Sequence, residues 1–129
     1  PQALETVLPE YRSFASSLFI SIAAGKTLHW LNAHLGASAS IVRVMPNTPA
    51  MVGRGMSALI ANSKTNAEHK KWAESLFAAV GKTLWLSEES QMDAITAISG
   101  SGPAYVFLFM ETMVPPLFRW GFLNRTLVY

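Results

Sequence analysis

The 129-residue chain contains no cysteine. That excludes a disulfide framework, a thiolate zinc site and a cysteine nucleophile. A disulfide-free globular chain suits a reducing cytosol, so a cytoplasmic setting is expected. Charge is also scarce. Only 14% of residues are charged, and ten Lys/Arg against eight Asp/Glu leave a formal net charge of +2. The charges are scattered, with no basic block for a nucleic acid or anionic membrane and no acidic tail. Long apolar runs are missing too. Stretches such as Ile22–Ala24 and Tyr105–Met110 fall far short of the roughly 20 residues of a membrane span. No secretory signal is visible. The chain begins with Pro1, so its true start is expected to be missing or processed away. At 50% hydrophobic, the composition excludes disorder and fits one domain or a piece of a larger one.

Apolar segments punctuated by turn residues are plentiful. Pro1 to Arg12 reads as a helix, with Leu4, Val7 and Leu8 on one face. Leu18–Ile22 reads as a buried strand that ends in the turn Ala23-Ala24-Gly25. Thr27 caps a short helix to His34, and Gly36 closes it. Ile41–Met45 and Met56–Ala61 are further strands, separated by a loop that opens Pro46-Asn47-Thr48-Pro49. Thr65 and Glu68 have capping-box spacing before a long helix, on which Trp72, Leu76, Ala79 and Val80 line one face. Gly81 ends that helix, and Lys82–Leu86 is a fourth strand. Ser87 caps a helix through Ile98, Ser99-Gly100-Ser101-Gly102 interrupts it, and Pro103 opens another to about Met113. Pro115-Pro116 is expected to end that helix, leaving an aromatic tail without a clean period, Val114–Tyr129. Short buried strands alternating with amphipathic helices predict an α/β fold with a partly parallel sheet.

Three loops could carry chemistry. Ile22-Ala23-Ala24-Gly25 follows a strand, where open α/β sheets place ligands, and its small side chains let a flat ligand approach the backbone. The plainer reading is a strand-to-helix turn that needs glycine. Pro46-Asn47-Thr48-Pro49 holds an amide and a hydroxyl between two stiffening prolines, as a ligand pocket would. The plainer reading is a turn between strands. Ser99-Gly100-Ser101-Gly102 feeds a helix start and offers backbone N–H groups to an anion. It lacks the dinucleotide fingerprint, because a helix precedes it, and the plainer reading is a close-packed helical kink. Gly53-Arg54-Gly55 suits a phosphate-reading arginine less well than a flexible loop. His29, His34 and His69 show no metal spacing, so no metal is expected. Four of the six methionines, Met56, Met92, Met110 and Met113, read as core fillers. Asn124-Arg125-Thr126 matches a glycosylation triplet by chance.

Together the loops are far more specific. Pro1-Gln2, the strand ending Ser21-Ile22-Ala23-Ala24-Gly25, the run Ile41–Ala50 and Gly53-Arg54-Gly55-Met56 resemble pyrroline-5-carboxylate reductases. The run Ala97–Tyr105 and Phe107–Glu111 are similar to the opening of that family's dimerisation helices. The resemblance extends from Pro1 to about Met113.

The resemblance implies a partial Rossmann-type sheet with flanking helices, followed by C-terminal helices. Residues 1–90 would be the second half of a dinucleotide-binding domain. Residues 91–129 would begin a helical dimerisation domain with a divergent tail. The implied activity is reduction of 1-pyrroline-5-carboxylate to L-proline with NADPH or NADH, in a complete protein that is a homo-oligomer. Pro1 takes the place of the family proline whose backbone lines the cofactor cleft. Ile22, Ala23 and Ala24 resemble the second cofactor contact, and Asn47 and Thr48 the loop beside the nicotinamide. No catalytic acid or base is named. The family's glycine-rich fingerprint and its later Ser-Pro-Gly-Gly-Thr-like substrate segment do not occur in the sequence. The expectation is therefore an incomplete reductase left by truncation, an alternative exon or a frameshift. The alternatives are a non-enzymatic fragment that associates with a full-length subunit, or an unrelated anion-binding module.

Overall fold

The computed structural model describes residues 3–14 and 16–119; Pro1 and residues 120–129 of the tail lie outside them. Four strands, β1 (Leu18–Ser21), β2 (Ser40–Met45), β3 (Gly55–Ala61) and β4 (Gly81–Trp85), form one sheet in the order β1-β2-β3-β4. β1 pairs parallel with β2, β2 antiparallel with β3, and β3 parallel with β4. The pattern follows from the connections. A parallel return needs a crossover of a dozen or more residues. Helices α2 (Leu28–Leu35) and α3 (Ala67–Ala78) supply two such crossovers. The loop of residues 46–54 is too short for one, so β3 turns back along β2.

β2 is buried along its whole length, so its side chains face packed layers on both sides. Ile41 and Met45 join Leu28, Leu31 and Leu35 of α2, Ile60, and Met92 from α4 (Gln91–Ile95) on one face. Val42 and Val44 meet Leu59, Ala73 and Phe77 on the other, under α3. Gly36 closes α2 as expected, at φ 104° with its N–H donating to the Asn32 carbonyl at 2.9 Å.

Several boundaries differ from expectation for identifiable reasons. The first segment is one α turn, α1 (Leu4–Val7), that tightens into a 3-10 helix over Leu8–Phe14. Pro9 has no N–H for an α-helical bond back to Glu5. Asn66, not Thr65, caps α3, accepting from the His69 N–H at 2.7 Å. The Thr65 hydroxyl is drawn inward to the Ile41 carbonyl, 3.0 Å away. α3 buries Ala73 and leaves Trp72 and Leu76 55% and 59% exposed. The expected apolar face of that helix is thus turned outward. Ser87 caps nothing. The Gln91 Oε1 accepts from the backbone N–H of Ser87 and Glu88 at 3.1 and 3.2 Å, so α4 starts later.

The Ser99–Gly102 stretch does not interrupt the helix. It widens into a π turn over Thr96–Gly100, and the Ser101 N–H and hydroxyl both donate to the Thr96 carbonyl, at 2.9 and 3.0 Å. Nor do Pro115 and Pro116 end α5, which runs Gly102–Arg119. Proline's fixed φ is compatible with a helix, although each ring removes a donor and crowds the carbonyl four residues back. The carbonyls they would have paired belong to Glu111 and Thr112, which are exposed and so accessible to solvent.

β3 and β4 begin in unusually close contact. Gly55 pairs with Gly81. A Cβ on Gly81 would stand 2.1 Å from the Gly55 carbonyl oxygen, and one on Gly55 would stand 2.9 Å from both Ala50 and the Val80 oxygen. Backbone cannot rotate away as a side chain can. Gly81→Ala is therefore expected to cost at least about 2 kcal/mol, the scale of core overpacking. A Cβ on Gly102 meets nothing within 4 Å, so Gly102→Ala should leave the thermal midpoint almost unchanged. Equal midpoints for the two variants would refute the close-packing account.

Candidate functional site

Because β1 and β2 are parallel neighbours, the segments that follow Ser21 and Met45 leave the sheet at the same end. β3 runs the other way, so its start at Gly55 lies there too. This end gathers the first two candidate loops, as their positions after strands predicted.

The turn after β1 is short and tied at both sides. Ser21 Oγ accepts from the Ala23 N–H at 3.3 Å, the Lys26 N–H donates to the Ala23 carbonyl at 3.4 Å, and Gly25 takes φ 74°. Lys26 Nζ then lies 3.9 Å from the centre of the Trp30 ring and 3.7 Å from Glu5 Oε1. Ile22 is 61% exposed and Ala24 is exposed. Ile22, Ala23 and Ala24 border a groove of ≈ 600 Å³ whose walls include Leu4, Leu8, Phe19, Leu31 and Leu35. Apart from Ser21 the lining is apolar, suited to a flat ring rather than to a free charge.

The second loop is rigid for more reasons than its prolines. Asn47 Oδ1 accepts from the Met56 N–H at 2.9 Å, and Nδ2 donates to Ser99 Oγ at 3.2 Å. The amide therefore ties the end of β2 to the start of β3 and to the π turn, joining the second and third candidate loops. Thr48 opens a 3-10 turn, Thr48–Val52, and is exposed. Its hydroxyl, rather than the Asn47 amide, is the freer polar group. The Ser99–Gly102 stretch presents no free ring of N–H groups, since its backbone is spent on the π turn, and a Cβ on Gly100 would stand 3.4 Å from Met45 Sδ.

Two residues outside the candidate loops shape this end. Arg43, in the middle of β2, is 3% exposed and faces the same layer as Ile41 and Met45. Its Nη1 donates to Glu89 Oε1 at 2.8 Å. The same oxygen accepts from the Leu28 N–H at 2.7 Å, at the first turn of α2. Arg43 Nε has no partner among the described residues. The signal for this pair was present in the sequence. A lone charge inside Ile41-Val42-Arg43-Val44-Met45 has to be buried, and a buried charge demands a counter-charge. Among the described residues no group of His, Asp or Glu is placed to hold a metal ion, and no helix is long and apolar enough to cross a membrane.

Known proteins share this arrangement. A reductase from Haemophilus influenzae, named pyrroline-5-carboxylate reductase, is 48% identical over 113 residues, which are 88% of this chain and 42% of the relative. One from Pseudomonas aeruginosa is 46% identical over 128 residues, 98% of this chain and 47% of the relative. The Plasmodium falciparum pyrroline carboxylate reductase, solved with NADP bound, superposes with a TM-score of 0.90 at 38% identity, covering 98% of this chain and 51% of that one. The chain is a relative of the pyrroline-5-carboxylate reductases. It spans about half the length of the curated reductases it matches. The family model for pyrroline-5-carboxylate reductase dimerisation matches residues 89–126. The reductase resemblance therefore does not fade near Met113, as the two prolines had suggested.

The geometry predicts distinct roles for the amide oxygen and the amide nitrogen of Asn47. Asn47→Ala strands the Met56 N–H and frees the π turn, and should cost about 1–3 kcal/mol. Asn47→Asp keeps the acceptor for Met56 and loses only the donor to Ser99, so its loss should be smaller. Urea denaturation of the two variants checks the ranking, and an Asp variant as unstable as the Ala variant would contradict it.

Proposed function

We propose that this chain carries one side of the cofactor cleft of an NAD(P)H-dependent reductase that converts 1-pyrroline-5-carboxylate to L-proline. The observation that supports it most is the gathering of Ile22–Ala24, Asn47 and Thr48 at one end of the sheet, in a chain whose superposed relative binds NADP. On this reading residues 1–90 belong to the dinucleotide-binding domain and residues 91–129 begin the dimerisation domain. Support for that division comes from the start of the matched dimerisation model at residue 89. Pro1, which lies outside the described residues, would on this reading add its backbone to the cleft, as its counterpart does in the resemblance. The absence of cysteine supports a cytoplasmic setting.

The residues present fit part of such a cofactor. The small side chains of Ala23 and Ala24 and the apolar groove beside them suit a flat ring. The Thr48 hydroxyl can orient a polar edge of the nicotinamide or the substrate. When bound, the cofactor supplies the hydride, and the protein supplies position and water exclusion. No acid or base is assigned, because Arg43 and Glu89 are spent on each other. Pyrophosphate in Rossmann sites is held by the first glycine-rich βα turn, and this sequence has no such turn.

A second reading has its own support. Residues Tyr105–Met110 of α5 are all exposed, and β1 is a sheet edge among the described residues. Both surfaces suit association with another chain, a full-length reductase subunit included.

These readings predict that the purified chain binds NADPH weakly, turns over orders of magnitude more slowly than a full-length reductase, and self-associates. Losing a few charge-assisted hydrogen bonds, about 4 kcal/mol, is a thousandfold in affinity. Titration with NADPH alongside light scattering tests this, and a monodisperse monomer with micromolar affinity would refute it. In a full-length reductase carrying these residues, Ala24→Leu should weaken NADPH binding at unchanged melting temperature. Unchanged cofactor affinity would sink the assignment of the turn. In the same background, Thr48→Val should lower turnover more than stability. A lower melting temperature at full turnover would make that loop structural.

A further inference from the structure

We infer that Glu89 is a positioning residue for the turn that faces the cofactor, an inference that rests on the cofactor reading of Ile22–Ala24. Glu89 lies in the connection between β4 and α4, far along the chain from that turn. Its Oε1 nevertheless accepts from the Leu28 N–H at 2.7 Å and from Arg43 Nη1 at 2.8 Å.

The first N–H groups of a helix have no partner inside the helix. In α2 the Trp30 N–H is met by Thr27 Oγ1 at 3.1 Å, and the Leu28 N–H by Glu89. A carboxylate at a helix N-terminus is also favoured by the helix dipole. The turn runs from Ser21 to Thr27, and its two ends are held differently. The sheet holds the first end, where Ser21 Oγ accepts from the Ala23 N–H. The second end leads into Leu28, whose N–H is held by a side chain 61 residues further along the sequence. Glu89 is itself held by Arg43, whose place in the buried middle of β2 is fixed. The chain of contacts is therefore β2, Arg43, Glu89, Leu28, turn. It makes the shape of the cleft depend on the segment at which the dimerisation helices begin.

Glu89→Ala alone would leave Arg43 buried without a counter-charge, and the variant can fail to fold for that reason. Two double variants avoid this. Arg43→Met with Glu89→Gln removes both charges but keeps an oxygen that can accept from the Leu28 N–H. Arg43→Met with Glu89→Ala removes the acceptor as well. Amide hydrogen exchange of the full chain is then followed by mass spectrometry. In the Ala pair, peptides covering residues 22–31 are expected to exchange at least tenfold faster than in the Gln pair. Peptides from β2 and β3 should exchange alike in both. Equal exchange of residues 22–31 in the two pairs would overturn the proposal. So would acceleration spread over the whole sheet, which would mark Glu89 as a general stabiliser. The readout needs no cofactor, so it stands apart from the Ala24→Leu titration that tests the cofactor reading itself.

Discussion

Arg43 is a full positive charge set in the middle of the most buried strand of the sheet. Taking such a group out of water costs several kcal/mol unless a partner is in place. The partner is Glu89, and meeting it constrains much of the fold. The connection after β4 must bring Glu89 to Arg43 in the middle of β2. α2 must start where its Leu28 N–H can share the same carboxylate oxygen. α4 then begins close enough for Met92 to enter the core formed by α2 and β2. A second polar link, from Asn47 to Ser99, fixes the far side of the same region. Two side-chain bonds thus dock the start of the helical segment onto the end of the sheet where the candidate loops gather.

Much of this was legible in the sequence, and the unread parts share a cause. Leu18–Ser21, Ser40–Met45 and Gly55–Ala61 fall where apolar, β-branched runs placed strands. Gly36 stops α2 because a left-handed or extended glycine is needed there, a local rule. The antiparallel turn of β3 follows from a loop length that can also be counted in sequence. What failed was anything settled by a distant partner. Thr65 left its capping position because its hydroxyl turns inward to the Ile41 carbonyl and the Asn62 amide oxygen. Trp72 and Leu76 form a clean helical stripe, yet the sheet takes the Ala73 side of α3, where a small residue permits close approach. Ser99–Gly102 looked like a broken helix, and only the five-residue bonds to the Thr96 carbonyl show a π turn. The candidate site was found as three loops, but their connection through Asn47 and the Arg43–Glu89 pair beneath them required the fold.

The surface is consistent with a chain that forms part of something larger. Ile98 and the run Tyr105–Met110 expose apolar side chains to solvent along the π turn and α5, and the groove beside β1 is open. Such surfaces are uncommon on a free-standing domain. They occur here in a chain that spans about half of the reductases it matches.

On the proposed function, the carboxyl end of β1 and β2 binds the cofactor. Backbone amide chemical shifts recorded while NADPH is titrated into isotopically labelled chain test it directly, because weak binding still moves resonances. The largest shifts are expected at Ile22, Ala23, Ala24 and Thr48, with small ones on α3. Shifts concentrated on α3 or α5, with the turn after β1 unmoved, would contradict it.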